Sequence, residues 1–179
     1  MAGENPIPDF NEHGTLPVGI YRCEPTHIKT RLVDPFRESR TRPKVFSGFQ
    51  EWRRDALESR VEGAIQWVDG SFVEAKTDPN DIDVLTLMHH ETLNKLPVRA
   101  KTFIREWLSK PRSQDRYLVD SSFYATYEPC HEKYEVWKNK RRIYKKLYGH
   151  TRGTLTGKGF LQVTLGECPE KLAELVEQE

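Results

Sequence analysis

The sequence predicts an α+β domain with an α/β-like order, a small mixed β-sheet covered by helices, on three observations. Four runs, at residues 64–70, 81–88, 115–127 and 159–165, show the apolar continuity or the alternation expected of strands. Other stretches, such as 45–57, 97–108 and 132–148, place apolar residues at helical spacing. The two kinds of element interleave, which sets helices against a sheet, on one face in the simplest arrangement. At 179 residues the chain can bury its own core without staples.

Each element has its own signal. Residues 1–17 are polar and Pro-rich and read as an extended lead-in, leaving 18–179 as a single domain. Val18 to Cys23 reads as a short strand. Thr26 is a candidate N-cap for a helix that runs through Val33 and stops at Asp34-Pro35. After the basic stretch 37–44, Val45, Phe49, Trp52, Ala56 and Leu57 form a helical stripe. "AIQWVDG" (64–70) reads as a buried strand and "DIDVLTLM" (81–88) as a second, joined through the turn formers Thr77-Asp78-Pro79-Asn80.

Pro97 opens a further helix with Ala100, Phe103, Ile104, Trp107 and Leu108 on one face, and Lys110-Pro111 ends it. "DRYLVDSSFYATY" (115–127) alternates as a third strand. A long helix over 132–148 stops at Gly149. "GFLQVTL" (159–165) is the fourth strand of this series, and Pro169 starts a terminal helix.

Composition excludes some classes. Charged residues make up 31% and hydrophobic residues 36%, and the formal net charge is +1, so attraction to a polyanion has to be local. Cys23, Cys130 and Cys168 form no CxxC pair and read as reduced thiols. No run approaches the length that spans a bilayer and the N-terminal stretch lacks an apolar core, so the expected compartment is the cytoplasm.

The chemistry concentrates in "WVDGSFVEAKTDPNDIDV". Side chains alternate along a strand, so Asp81 and Asp83 share a face while Ile82 and Val84 enter the core. Two carboxylates this close repel unless a cation sits between them. A hard divalent ion with oxygen ligands, such as magnesium, suits the pair, and Asp120 in the third strand is the candidate third ligand. The competing reading is a solvated strand edge, since 27 acidic residues make a bare Asp-x-Asp common. An apolar strand ending in Gly70-Ser71, a nine-residue spacer and the isolated Asp120 favour the metal.

This combination resembles the polymerase-β-like nucleotidyltransferase superfamily, on "WVDGS" (67–71), "DIDV" (81–84) and "VD" (119–120). The fuller stretch, with "LPVGIY" upstream and "KGFLQVTL" downstream, also looks like a group of small, uncharacterised bacterial proteins assigned to that superfamily. The resemblance implies a polymerase-β-type core and an enzyme that moves an NMP from an NTP, ATP by default, to a hydroxyl of a protein, RNA or small molecule. It implies two magnesium ions held by Asp81 and Asp83, with Asp120 on the ion that activates the acceptor. Gly70 would let the protein backbone approach the triphosphate, and the Ser71 hydroxyl would contact its outer phosphates. It also implies work with a partner protein, as in toxin–antitoxin or phage-defence systems. The short spacer with Pro79, and the lack of a large nucleobase-binding domain, depart from better-known members.

Supporting residues have two readings each. Lys76, and Arg152 and Lys158 around the Gly-rich stretch 149–159, are candidate phosphate contacts or ordinary loop cations. Lys138, Arg141, Arg142 and Lys145 lie on an aromatic and basic helix that either contacts RNA or packs its aromatics inward with lysines in water. His89-His90 lack zinc-helix spacing and read as surface or core histidines. Two other functions share these residues: a catalytically silent nucleotide-binding or partner-neutralising module of the same fold, and a metal-dependent nuclease, which Gly70-Ser71 disfavours.

Overall fold

The computed structural model describes residues 5–108, 112–152 and 156–177. Its centre is a five-stranded mixed sheet in the order β1-β5-β2-β3-β4. The strands are β1 (Ile20–Arg22), β2 (Ala64–Asp69), β3 (Ile82–His89), β4 (Val119–Thr126) and β5 (Phe160–Leu165). Central β2 runs antiparallel to both β3 and β5, while the outer pairs β3–β4 and β1–β5 are parallel. A parallel pair needs a crossover. Between β3 and β4 it is made by α3 (His90–Lys95), α4 (Val98–Phe103), a π-helical turn (Ile104–Leu108) and α5 (Arg112–Tyr117).

The alternation of β2 and β3 sorts side chains into two cores. Val68, Val84 and Met88 face Ile28 and Leu32 of α1 (Pro25–Leu32), Phe49, Trp52 and Ala56 of α2 (Arg42–Glu58), and Ala100 and Ile104 of the crossover. Ile65, Trp67, Leu85 and Leu87 point the other way, onto Trp137 and Tyr148 of α6 (Tyr134–Tyr148) and Leu172 and Val176 of α7 (Glu170–Glu177). Helices therefore cover both faces, which corrects the one-face arrangement. Each fully buried side chain of this size contributes on the order of 1.5–3 kcal/mol, so α6 and α7 are anchored by sheet contacts more than by their own propensity.

Several boundaries differ from expectation for local reasons. α1 is capped from Glu24, not Thr26, and the Glu24 backbone N–H donates to His27 Nδ1 at 3.1 Å. The run 115–127 is not one strand. Residues 112–117 coil as α5, buried Tyr117 docks its hydroxyl on Asp55 at 2.7 Å, and Leu118 turns the chain with φ +57° before β4 begins. Leu57 falls off the buried stripe of α2 and is 39% exposed. α3 has no buried residue, so no apolar periodicity announced it. Lys110-Pro111 lies outside the described residues. Among the described residues no helix is long and apolar enough to cross a membrane.

Candidate active site

Strand register brings the acids together. Asp69 pairs with Asp83 across the β2–β3 ladder, and Asp83 pairs with Asp120 across β3–β4. Partners in a ladder share a face, so three carboxylates form one row across three strands. The row lies on the α6 side, just past the core made by Trp67 and Leu85. Asp81 immediately precedes β3, where its Oδ2 accepts a hydrogen bond from Gln114 Nε2 at 2.6 Å.

β2 ends in a tight turn. Gly70 has φ 84° and ψ −169°, a conformation open in practice only to glycine, and its carbonyl accepts from the Val73 N–H at 3.1 Å to start a single 3-10 turn over Ser71–Val73. It is the one helical turn in the short spacer between β2 and β3. A Cβ on Gly70 would fall 1.9 Å from Asp83 Oδ2, so the missing side chain is the space the carboxylate occupies.

Arg42 fixes the segment after the turn. It is fully buried and donates to the carbonyls of Phe72, Glu74 and Lys76, and to that of Leu32 behind them. Asp78 anchors the other end: its Oδ1 accepts from the Arg40 N–H at 2.7 Å and from Ser39 Oγ at 3.1 Å.

These elements border a cavity of about 580 Å³. Its lining takes in Asp69, Gly70, Ser71, Lys76, Asp81, Asp83, Arg152 and Lys158, and adds Glu74, Gln114, Leu147 and Tyr148. Asp120 stands beside Asp83 in the ladder and is not itself on the lining. Tyr148, 6% exposed, reaches the cavity from the end of α6 and, with Leu147, gives it an apolar side.

Electrostatics separate the acids. Burial pushes the Asp69 carboxyl up to about 7 despite Lys158, whose Nζ lies 3.1 Å from its Oδ1. Asp83 is also raised, first by burial and then by the charges of Asp81 and Asp120, against the opposing pull of Arg152 and Lys158. Arg152 Nη2 sits 3.2 Å from Asp83 Oδ1.

Two of the basic candidates change character. Lys158 is 4% exposed and bridges Asp69 to Glu74 Oε1 at 2.5 Å, so it is an internal counter-ion rather than a loop cation. Arg141 is buried and donates from Nη1 to the Leu175 carbonyl at 2.7 Å, which ties α6 to α7 and removes it from an RNA-facing surface. Lys138 and Arg142 are exposed, Lys145 is half-buried, and Trp137 is fully buried, as the packed-aromatic reading of this helix requires. In the Gly-rich stretch His150 bridges Gly157 in antiparallel fashion, and residues 153–155 lie outside the described residues.

Asp69 is the site residue that motif reading passed over, although "WVDGS" contains it. The alternation Ile65, Trp67, Asp69 gives its face, but its neighbour on β3 follows only from the register.

Residues 8–164 match one family over most of the chain. The chain belongs to DUF6932, a family of unknown function. The DUF6932 match takes in β1 to β4, nearly all of β5 and every residue of the cavity, so the site lies within what defines the family. No curated protein matches the chain, and no solved structure does.

Proposed function

We propose that this DUF6932 protein is a magnesium-dependent nucleotidyltransferase that moves an NMP from an NTP to an acceptor hydroxyl. The observation that carries the reading is the row Asp69–Asp83–Asp120 set directly beside the glycine turn at Gly70-Ser71.

The residues fit magnesium. All the donors are carboxylate oxygens, the hard ligands this ion takes. Asp69 Oδ1 is buried and makes no hydrogen bond of good geometry, and Asp83 Oδ2 fills the space that a side chain on residue 70 would claim. The lining sets Asp69, Glu74, Asp81 and Asp83 against Lys76, Arg152 and Lys158, so a triphosphate entering alone meets a carboxylate excess. Asp81, Asp83 and Asp120 are the residues that would hold the metal. Magnesium, when bound, supplies Lewis acidity toward the acceptor hydroxyl and neutralises charge on the phosphates.

The chain's own groups then have separable tasks. Gly70 leaves room for the Asp83 carboxylate where a Cβ would stand, and the Ser71 hydroxyl contacts the phosphates. Arg152, 84% exposed at its side chain, exchanges Asp83 for a phosphate, while Lys76 stands at the outer rim. Lys158 stays inside and keeps Asp69 and Glu74 compatible. Leu147 and Tyr148 offer the apolar wall that a base or ribose needs. Positioning and charge placement carry most of such a reaction, so no histidine is required.

The test is incubation with each labelled NTP, magnesium and a cell extract. Transfer of label to an acceptor, with pyrophosphate released, supports the reading. Asp81→Ala with Asp83→Ala should lower transfer by roughly a hundredfold or more. Activity that survives the double change sinks the assignment. A second reading, a silent nucleotide-binding module, rests on Arg152 and Lys158 being paired with the site's own carboxylates. Tight NTP binding with no transfer under any condition would favour it.

A further inference from the structure

The parallel pairing that lines up the acids at the start of β3 and β4 also brings the ends of those strands together. His89, the last residue of β3, is in register with Thr126, and Glu128 follows two residues later. His90 opens α3 beside it. His89 Nε2 lies 3.2 Å from Glu128 Oε2, and His90 Nε2 lies 2.7 Å from the same oxygen. The three ligand atoms fall within 4.8 Å of one another. His89 lies six positions along the strand from Asp83, about 20 Å, so this cluster is distinct from the cavity.

We propose that His89, His90 and Glu128 form a second metal site, for a transition ion of borderline softness such as zinc. Two imidazoles and one carboxylate are a donor set that such ions take, usually with a position left to solvent. Bonds of about 2.0–2.1 Å at tetrahedral angles put ligand atoms about 3.3 Å apart. The His89–Glu128 spacing already matches that, and the His90 contact needs to open by a few tenths of an ångström.

Burial supplies an independent reason. His89 is 3% exposed, and its Nε2 is buried with no hydrogen-bond partner of good geometry although it points at Glu128. Such a polar atom is costly unless something satisfies it. The surroundings are built to hold the ligands. Glu128 Oε1 takes a hydrogen bond from Lys171 of α7, which leaves Oε2 for the two imidazoles. His89 Nδ1 accepts a hydrogen bond from the Glu91 backbone N–H at 3.4 Å, which fixes the ring with Nε2 toward Glu128. The rings of Tyr127 and His131 pack against His90, with centroids 5.1 and 4.5 Å away, and limit its rotation.

This site does not rest on the nucleotidyltransferase reading, and its test has no activity in it. The full chain, stripped with chelator, is titrated with cobalt(II) and then zinc. One cobalt per chain is expected, with the visible absorption of a low-coordinate site, displaced by zinc and accompanied by a higher melting temperature. His90→Gln and Glu128→Gln should each weaken binding by at least about tenfold, while Asp83→Asn leaves the signal in place. Circular dichroism shows whether each variant folds, and crystals soaked in zinc give a readout that needs no variant. An anomalous peak among the three side chains supports the site. Its absence at saturating zinc, or a cobalt signal lost in Asp83→Asn and kept in His90→Gln, overturns it.

Discussion

Gly70 and Asp83 occupy the same volume: a methyl group on Gly70 would sit 1.9 Å from Asp83 Oδ2. The glycine also holds φ 84° with ψ −169°, so an alanine there meets backbone strain as well as a clash. Strain of this kind costs on the order of 1–3 kcal/mol. Gly70→Ala should therefore lower stability by about that amount and displace the Asp83 carboxylate. Thermal unfolding reads the first effect. The second appears as weakened magnesium binding by calorimetry, and wild-type binding in the variant would contradict the account.

Asp83 stands between Asp69 and Asp120, with Asp81 close by, and its carboxyl is raised by burial and by its acidic neighbours. A site arranged for a cation is under repulsion when the cation is gone. Asp83→Asn should leave the melting temperature in chelator unchanged or higher than wild type. Magnesium should raise the wild-type melting temperature by mass action, about 2.7 kcal/mol at a hundredfold excess over Kd, and raise the variant's far less. A variant that is less stable without metal and equally stabilised by it would count against the site.

What the sequence made legible follows from how local each signal is. The period-two alternation of "DIDV" was enough to place Asp81 and Asp83 opposite Ile82 and Val84, and both apolar residues are fully buried. Register is non-local, so Asp69 beside Asp83, and Glu128 beside His89, needed the sheet itself. Arg141 was within reach: it falls on the same helical stripe as Trp137, Tyr144 and Tyr148, and that stripe packs inward. α5 was hidden because six residues hold too little periodicity to outweigh the alternating run that follows. Lys158 could not be told from a loop lysine, because its two carboxylate partners are far away in sequence.

Arg42 is the side chain on which the turn depends. Its guanidinium donates to the carbonyls of Leu32, Phe72, Glu74 and Lys76 and lies 3.7 Å from the centroid of the Phe36 ring. Arg42→Met would strand several buried carbonyls, each costing about 1–3 kcal/mol, so a total loss of about 3 kcal/mol or more is expected in denaturant unfolding. Arg42→Lys should recover little, because an ammonium cannot reproduce the planar fork. Near-complete rescue by lysine would mean that charge, not the carbonyl clamp, is what the turn requires.

Asp69 gives the protein a pH dependence of defined sign. Burial pushes its folded-state carboxyl up to about 7, against about 3.9 in an unfolded chain. Between those values the folded state binds more protons than the unfolded state, so this group's contribution to stability falls as pH rises from about 4 through about 7. Asp69→Asn removes the buried charge and leaves Lys158 paired with Glu74. In metal-free buffer the substitution should be more favourable to stability, relative to wild type, at pH 8 than at pH 5. Urea unfolding at the two pH values measures it. An equal effect at both, or a larger one at pH 5, would show that Lys158 keeps Asp69 ionised throughout.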